Sequence, residues 1–286
     1  MRILPVLAFA GLLSFSGCVQ TIAVNTVGGL VDEGFSAFTE ESDLAFAEQA
    51  LPANLKLLEI MLKNRPENVR LLHLASLGYN SYALGFLEDK EPDRAREFYL
   101  RGRDFGLRLL RQDDEMAKAL DGSLDDLKAA LAGRGPDDVP GAFWTGFGWG
   151  SYIYLSLQNT DAIADLPRAE ALMQYVAAND STYYYAGADV FLGTLYGSRP
   201  KILGGDPDLS RRHFERALRI NGGKFLMTYV YYARSYAVQT QNEALFEELL
   251  NRVDAAPIDI LPEFRLANAI AKAKSKLLRA KKSDLF

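Results

Sequence analysis

Few residues of this chain combine the types and the spacing that catalysis requires. The two histidines, His73 and His213, are far apart in the sequence, and neither has a neighbouring cysteine or a second histidine at metal-binding spacing. Ser198 and Lys201 fit a Ser-x-x-Lys pattern, but an acyl-transfer serine of that kind begins a helix, and Pro200 breaks that geometry. We therefore expect no enzymatic activity, no metal and no cofactor, and we keep an enzyme as the third hypothesis.

The single cysteine offers a different chemistry, covalent attachment of lipid. Residues 1–17 carry one positive charge and then an apolar run that ends in small residues, as secretory signal peptides do. Ser16 and Gly17 precede Cys18 in a pattern that resembles a bacterial lipobox, in which the cysteine is acylated and becomes the new N-terminus. We predict a lipid-anchored periplasmic protein, and Val19, where aspartate would signal inner-membrane retention, favours the outer membrane. The alternative is an export signal that is cleaved elsewhere.

Aromatic residues are the second unusual feature. Of the 14 tyrosines, 11 lie between Tyr152 and Tyr236. Successive helical residues turn by about 100°, so a run such as residues 183–185 cannot face one side, and some of its rings must line a cleft or a partner interface. Ordinary core packing is the alternative use of these rings. The aromatic candidates for ligand or partner contact are Phe143, Trp144, Trp149, Tyr152, Tyr184, Tyr196 and Tyr232.

The stretch at 199–206 combines positive charge with turn-forming residues. Two adjacent glycines permit positive φ, and Asp206 can cap a helix that begins near Asp208. Arg199 and Lys201 add local positive charge. Arg199, Lys201 and Asp206 therefore join the ligand or partner candidates, with a purely structural capped turn as the alternative.

Composition excludes several classes of protein. The chain has 286 residues, of which 49% are hydrophobic and 24% charged, as in an ordinary folded protein. Its 32 basic and 37 acidic residues give a net charge of −5, which argues against a nucleic-acid partner. One cysteine cannot form an internal disulfide or a cysteine-based metal cluster.

The elements that must position these residues are predicted to be helices. Apolar residues recur at helical spacing after about residue 42, and no stretch alternates apolar and polar residues as a half-buried strand would. The leucines that set this pattern in the first long helix are at 51, 55, 58 and 62. We predict an all-α protein with a signal peptide at 1–17, a lipidated N-terminus and tether at 18–42, and one helical repeat domain at 43–286.

Small and aromatic residues recur in a tetratricopeptide-like pattern. A Leu-Gly pair ending at Gly78 is followed by Ala95, Tyr99 and Gly102, and a second pair ending at Gly193 is followed by Ser210, Phe214 and Ala217. Looser units begin at Trp149 and Tyr232, and the long interval before Trp149 predicts an inserted helical segment. We therefore predict a tetratricopeptide-like helical repeat array with irregular insertions, and an irregular all-α bundle is the alternative.

Several stretches closely resemble the T-component lipoproteins of tripartite ATP-independent periplasmic (TRAP) transporters. The resemblance covers essentially the whole mature chain, and the stretches at 143–146 and 199–206 are its most specific parts. The others are the lipobox at Cys18 and residues 50–57, 82–88 and 230–233. The resemblance implies an all-helical fold with cryptic tetratricopeptide-like repeats.

The resemblance also implies a function and partners. T-components are thought to associate with the periplasmic solute-binding receptor of the transporter and to pass a hydrophobic ligand through a central pore. We therefore expect a lipid-anchored accessory protein that docks such a receptor and binds a hydrophobic or organic-acid ligand. The alternative is a tetratricopeptide-like scaffold for envelope protein assembly, in which the aromatic residues form only core. The sequence leaves open the transported solute and whether the chain forms a homo-oligomer.

Overall fold

The computed structural model describes residues 36–199 and 201–286, and in these ranges it contains helices and no strand. The prediction of an all-α fold is confirmed. The predicted signal peptide, the lipidation site at Cys18 and the tether as far as residue 35 lie outside the described residues. Within the described ranges, none of the helices has both the length and the apolar character needed to cross a membrane.

The described residues form 14 α-helices after a short helical stretch at 36–39. Short 3-10 or π-helical segments connect or extend several of them. In chain order the helices are α1 (Leu44–Asn64), α2 (Val69–Tyr82), α3 (Pro92–Leu110), α4 (Asp114–Asp121), α5 (Leu124–Ala132), α6 (Val139–Tyr154), α7 (Thr160–Ala164), α8 (Leu166–Asn179), α9 (Tyr183–Gly197), α10 (Pro207–Asn221), α11 (Met227–Tyr231), α12 (Glu243–Ala255), α13 (Arg265–Ala280) and α14 (Lys282–Leu285).

The helices pack as antiparallel pairs, consistent with a tetratricopeptide-like array. The pairs are α2 with α3, α6 with α8, α9 with α10, and α11 with α12. The repeat positions read from the sequence are the ones that bring paired helices together. In the α9–α10 pair, a Cβ on Gly193 would lie 3.0 Å from the Phe214 ring, and the Ser210 hydroxyl donates to the Gly193 carbonyl at 2.7 Å. Small residues thus permit the close approach that the pattern predicts.

Aromatic stacking joins one pair to the next. Tyr232, which begins the π-helical extension of α11, stacks on Phe214 of α10 with ring centres 4.7 Å apart. Both rings are buried. The looser repeat unit that begins at Tyr232 therefore continues the same core rather than starting a new one.

The long interval between the first two repeat units contains α4 and α5, as predicted for an inserted helical segment. Asp113 caps α4 by accepting from the Met116 amide at 2.8 Å, and Ser123 and Asp126 form a reciprocal capping box on α5. Met116 and Leu127 are buried against the core of the α6–α8 pair. The insertion is therefore packed into the domain.

Candidate functional site

The first helices of the four pairs face one another across an apolar cleft. A cavity of about 150 Å³ lies at its centre, and the unfilled space out to the mouth is about 1100 Å³. A dry cavity of about 150 Å³ is enough to hold a benzene-sized apolar group. The cleft is lined by Ser81, Leu84 and Glu88 on or after α2; Phe143, Trp144, Phe147, Gly150, Ser151, Ile153, Tyr154 and Leu157 on or after α6; Leu166 of α8; Tyr184, Gly187, Val190, Phe191, Thr194, Leu195, Ser198 and Arg199 on or after α9; and Phe225, Met227, Tyr231 and Arg234 around α11.

Two walls of the cleft are built from π-helical backbone. The segment Ala83–Leu87 extends α2, and the segment Tyr232–Ala237 extends α11. Such segments are rare, and they occur frequently at functional sites because they re-aim the side chains around them. Here they carry Glu88, directly after the first segment, and Arg234, within the second, to the same end of the cleft.

The third wall contains a left-handed turn. Tyr184, Tyr185 and Ala186 have φ values of 47°, 56° and 65°, although none of them is glycine. Left-handed helical backbone costs roughly 1–2 kcal/mol for each residue that carries a Cβ. Strain of this size persists only where the surrounding structure fixes it, and it is concentrated at functional sites. Tyr184, the first residue of this turn, lines the cleft.

Ring contacts hold this turn in place. The Tyr184 ring lies edge-on to Trp144, with centres 4.8 Å apart, and Tyr185 stacks on Phe225 at 5.4 Å. The Tyr185 hydroxyl donates to Glu263 at 3.0 Å, and its carbonyl accepts from Asn221 at 3.2 Å. Contacts from several separate segments therefore stabilise a backbone conformation that the residues of this turn do not favour locally.

A buried ion pair closes one end of the cleft. The Arg234 guanidinium donates to Glu88 Oε1 at 2.8 Å, the Tyr99 hydroxyl donates to Oε2 at 2.6 Å, and Lys274 Nζ lies 3.9 Å from Oε1. Burial raises the pKa of Glu88, but the charges of Lys274 and Arg234 outweigh it and lower the pKa to about 2. Lys274 also pairs with Asp89, so the two cations at this end are matched by two carboxylates.

Aromatic faces complete the surroundings of Arg234. Its guanidinium carbon lies 4.6 Å from the ring centre of Tyr231 and 5.1 Å from that of Tyr154. These distances are typical of cation–π contacts. Burial raises the pKa of Tyr231, so this phenol stays neutral at physiological pH.

The other charged residue that lines the cleft, Arg199, has different surroundings. It follows the last residue of α9 by two positions, is half-buried, and donates from Nε to the Leu195 carbonyl at 3.1 Å. Among the residues that the structure describes, no aspartate or glutamate forms an ion pair with it. Arg234 is thus matched by a buried carboxylate, whereas Arg199 has no carboxylate partner among the described residues.

The structure brings Phe143, Trp144, Tyr184 and Arg199 together in the cleft, out of the sequence-derived candidates. The Trp144 indole donates to the Tyr183 hydroxyl at 3.2 Å, which fixes the ring against the wall. The four residues come from α6 and from α9 with its following turn, and these stretches overlap the most specific parts of the family resemblance.

The other aromatic candidates lie outside the cleft. Trp149 is buried in the core beneath Arg103, whose guanidinium is 5.6 Å from its ring. Tyr152 lines a neighbouring, more polar depression that shares Tyr154 and Leu157 with the cleft. Tyr196 of α9 donates from its hydroxyl to Glu170 at 2.6 Å, and Tyr232, in the extension of α11, stacks on Phe214 within the core.

The two remaining polar candidates occupy the turn after α9. Lys201 begins a 3-10 segment and its side chain is exposed. Asp206 is the N-cap of α10, where its carboxylate accepts from the Leu209 amide at 2.9 Å. Gly204 has a φ of 81°, which a glycine adopts without strain. The capped turn predicted from the sequence is therefore present.

Sequence reasoning did not single out Glu88, Arg234 or Tyr231 as site residues. Glu88 ends the resembling stretch at 82–88, and Tyr231 lies in the stretch at 230–233, so the resemblance marked these places without assigning them a role. Arg234 lies 146 residues from Glu88 in the chain, and no local sequence pattern predicts that they pair.

Neither histidine lines the cleft. Burial lowers the pKa of His73, whose ring lies 3.4 Å from the Tyr183 hydroxyl. His213 contacts the buried Asp189 carboxylate at 2.7 Å. Across the described ranges, no group of three or more histidine, cysteine, aspartate or glutamate side chains is arranged to hold a metal ion.

Comparison with known proteins agrees with the resemblance seen in the sequence. The family model described as TRAP transporter T-component matches residues 40–286. An uncharacterized protein of Treponema pallidum (strain Nichols) is 26% identical over 296 aligned residues, covering 96% of this chain and 91% of the relative. Because the family match extends over most of the chain, this protein belongs to the T-component family of TRAP transporters.

Proposed function

We propose that this protein is a lipid-anchored periplasmic accessory component of a TRAP transporter that docks the solute-binding receptor and holds a hydrophobic or organic-acid ligand in the cleft. The observation that carries the proposal is an aromatic-lined cavity whose walls are kept apart by three irregular backbone segments. A protein that needed only a core could fill this space with side chains, as interiors normally are. Family membership supplies the transport context.

Ligand binding is tested by filling the cavity. Ser151 lines the cleft and is small, so Ser151→Trp would take up most of the central space. We expect solvent extraction and mass spectrometry to recover an apolar or organic-acid compound from the wild-type protein and much less from the variant. Ser283→Trp places the same residue at an exposed position near the C-terminus and serves as the matched control. Equal recovery from all three proteins would contradict the proposed binding.

Docking is tested at the mouth of the cleft. Leu157, which lines the cleft, is 61% exposed, and Ile202, three residues after Arg199, is 92% exposed. Exposed apolar side chains at an opening are suited to contact with another protein. We expect Ile202→Glu to reduce retention of the solute receptor in mild detergent, whereas Leu277→Glu, on α13 and outside the cleft lining, leaves it unchanged. Failure of the wild-type protein to retain any receptor would refute docking.

The anchor is tested at Cys18. Cys18→Ser removes the thiol that would carry the lipid, so palmitate labelling and partitioning into detergent should both be lost. Wild-type partitioning of this variant would show that the membrane association, if any, has another source.

A scaffold for envelope assembly is the second candidate, and one feature favours it. Phe46, Leu57 and Ile60 are 59%, 51% and 56% exposed and fall on one face of α1. If Ile60→Glu abolished capture of an envelope protein while Ile202→Glu and Ser151→Trp had no effect, the scaffold would be the better account.

A further inference from the structure

One face of α1 is apolar and exposed. The opposite face packs on the core through leucines such as Leu55 and Leu58. Phe46, Leu57 and Ile60 are each more than half exposed, and at about 100° per residue they fall within about 60° of one another. Of the ten exposed large apolar side chains in the described residues, four lie between positions 46 and 69. Such a concentration on one face indicates a contact surface rather than scattered surface residues.

Cations surround the C-terminal end of this face. Lys63, in the last turn of α1, and Arg65, directly after the helix, are exposed and have no acidic partner among the described residues. Arg108 of α3 donates to the Pro66 carbonyl at 2.7 Å, which places a third exposed cation at the same end. Glu67 is an exposed carboxylate in this connection. A positive surplus remains after Glu67 and the partial negative charge at the C-terminus of α1 are counted.

The N-terminal end of α1 has the opposite character. Asp43 caps the helix, and the residues at 40–41 before it are both glutamate. An anionic surface attracts lysine and arginine and repels carboxylates. The half of the apolar face that is suited to an anionic surface is therefore the one that contains Leu57 and Ile60.

An anionic bilayer fits this half better than a second copy of the chain does. In a symmetric contact the same face meets itself, so the three cations of one copy would approach those of the other. Apolar side chains flanked by lysine and arginine are typical of helices that lie in the plane of a bilayer. Cys18 is 18 positions before the first described residue, so lipid on it would hold the domain within about 65 Å of the bilayer. Weak contacts then suffice, because the anchor raises the effective concentration of the surface at the bilayer.

We propose that the α1 surface, formed by Leu57, Ile60, Lys63, Arg65 and Arg108, lies on a bilayer that contains anionic phospholipid. The two apolar side chains enter the headgroup region, and the three cations contact lipid phosphates. This inference rests on the proposed lipid anchor and adds a second contact, which fixes how the domain is oriented on the membrane. No residue of α1 or α3 lines the cleft, so this contact leaves the cleft lining uncovered.

The test reports the surroundings of position 60 when the protein is on a membrane. The mature lipoprotein with Ile60→Cys, labelled with an environment-sensitive dye, is reconstituted on vesicles of phosphatidylethanolamine and phosphatidylglycerol that carry a spin-labelled quencher lipid. Ile60 is exposed, so the fold should tolerate the change, and lipid blocks the thiol of Cys18, the only other cysteine. We expect the dye to be shielded from water and quenched. Leu277→Cys, at an exposed leucine of α13, is the matched control and should stay in water.

The role of charge is tested on the same labelled protein. Lys63→Gln together with Arg65→Gln should lower the ratio of shielded to water-exposed dye by about fivefold for each cation removed. Lys118→Gln with Lys128→Gln removes the same charge from exposed lysines that have no acidic partner among the described residues, and should change the ratio little. Equal losses in the two double variants would reduce the effect to net charge and overturn the inference.

The remaining outcomes separate this inference from the anchor. A dye at position 60 that is shielded from water but not quenched would mean that protein covers the face, whether residues 19–35, a second copy or another protein, and would overturn the inference. If the labelled protein stays on the vesicles with its dye in water, the inference fails and the anchor stands. If the wild-type protein does not float with the vesicles, the anchor and the inference fail together.

Discussion

Two arginines line the cleft, Arg234 and Arg199, and their surroundings differ. Arg234 lies between two tyrosine rings and donates to a buried carboxylate, whereas Arg199 is held by a backbone carbonyl and has no acidic partner in the described chain. The first arginine is therefore part of what holds the walls together. The second makes one hydrogen bond to the described chain and contributes little to the fold. A buried charge that is balanced inside the protein stabilises the structure, and loss of an arginine without a carboxylate partner is expected to cost less.

The largest effect should follow from removing the carboxylate of the Glu88–Arg234 pair. Glu88→Gln leaves Arg234 without its ion-pair partner and leaves Lys274 with Asp89 alone. Breaking a buried pair from one side typically costs about 3–5 kcal/mol in the free energy of unfolding. Urea unfolding measures the loss, with Asp104→Asn, an exposed partner of Arg103, as a control that should change little. A loss below about 1 kcal/mol would mean that the pair is not structural.

Acid should weaken the same ion pair. The pKa of Glu88 is lowered from 4.5 to about 2, so its stabilising contribution is complete above the unfolded-state value and is lost as the pH falls towards 2. By pH 3 about 2 kcal/mol of that contribution should have gone. Unfolding curves from pH 6 to pH 3 should show this loss in the wild-type protein and a smaller one in Glu88→Gln. Parallel curves for the two proteins would contradict it.

A smaller effect is expected in the turn that follows Arg199. Asp206 caps α10, and its amide donates to the Tyr196 carbonyl at 3.0 Å. Asp206→Ala should lower the unfolding free energy by about 1 kcal/mol through loss of the cap. Asp206→Asn retains a capping oxygen and should be nearly neutral, so equal losses in both variants would show that the cap is not the cause.

The smallest change in stability should come from Arg199 itself. Arg199→Gln removes a half-buried side chain with one hydrogen bond to the described chain, and we expect the unfolding free energy to change by no more than about 0.5 kcal/mol. Thermal unfolding without ligand measures this. A loss comparable to that of Glu88→Gln would remove the distinction between the two arginines.

The fold was accessible from the sequence because its determinants are local. Apolar spacing predicts the helices, and the small residues at Gly193 and Ser210 with the ring of Phe214 predict how α9 and α10 approach each other. The cap at Asp206 follows from a short polar side chain before a helix.

The centre of the candidate site was not accessible in the same way. The π-helical segments have no pattern of their own, and they bring together Glu88 and Arg234 from places 146 residues apart. The run Tyr184–Ala186 contains no glycine, so local rules predict regular helix where the backbone turns left-handed. In both cases tertiary packing overrides the local preference.

The left-handed turn of α9 also constrains the order in which this chain assembles. Its three residues have no local preference for their conformation, and the rings that hold Tyr184 come from α6, from before α11 and from before α13. Such a turn is expected to form only after those segments have met. We therefore expect a folding φ-value near zero for Tyr184→Leu, with the loss of stability appearing as faster unfolding and the folding rate little changed. The α9 wall of the cleft is therefore expected to form late in folding, and the lifetime of the folded cleft depends on the rate at which this turn unfolds.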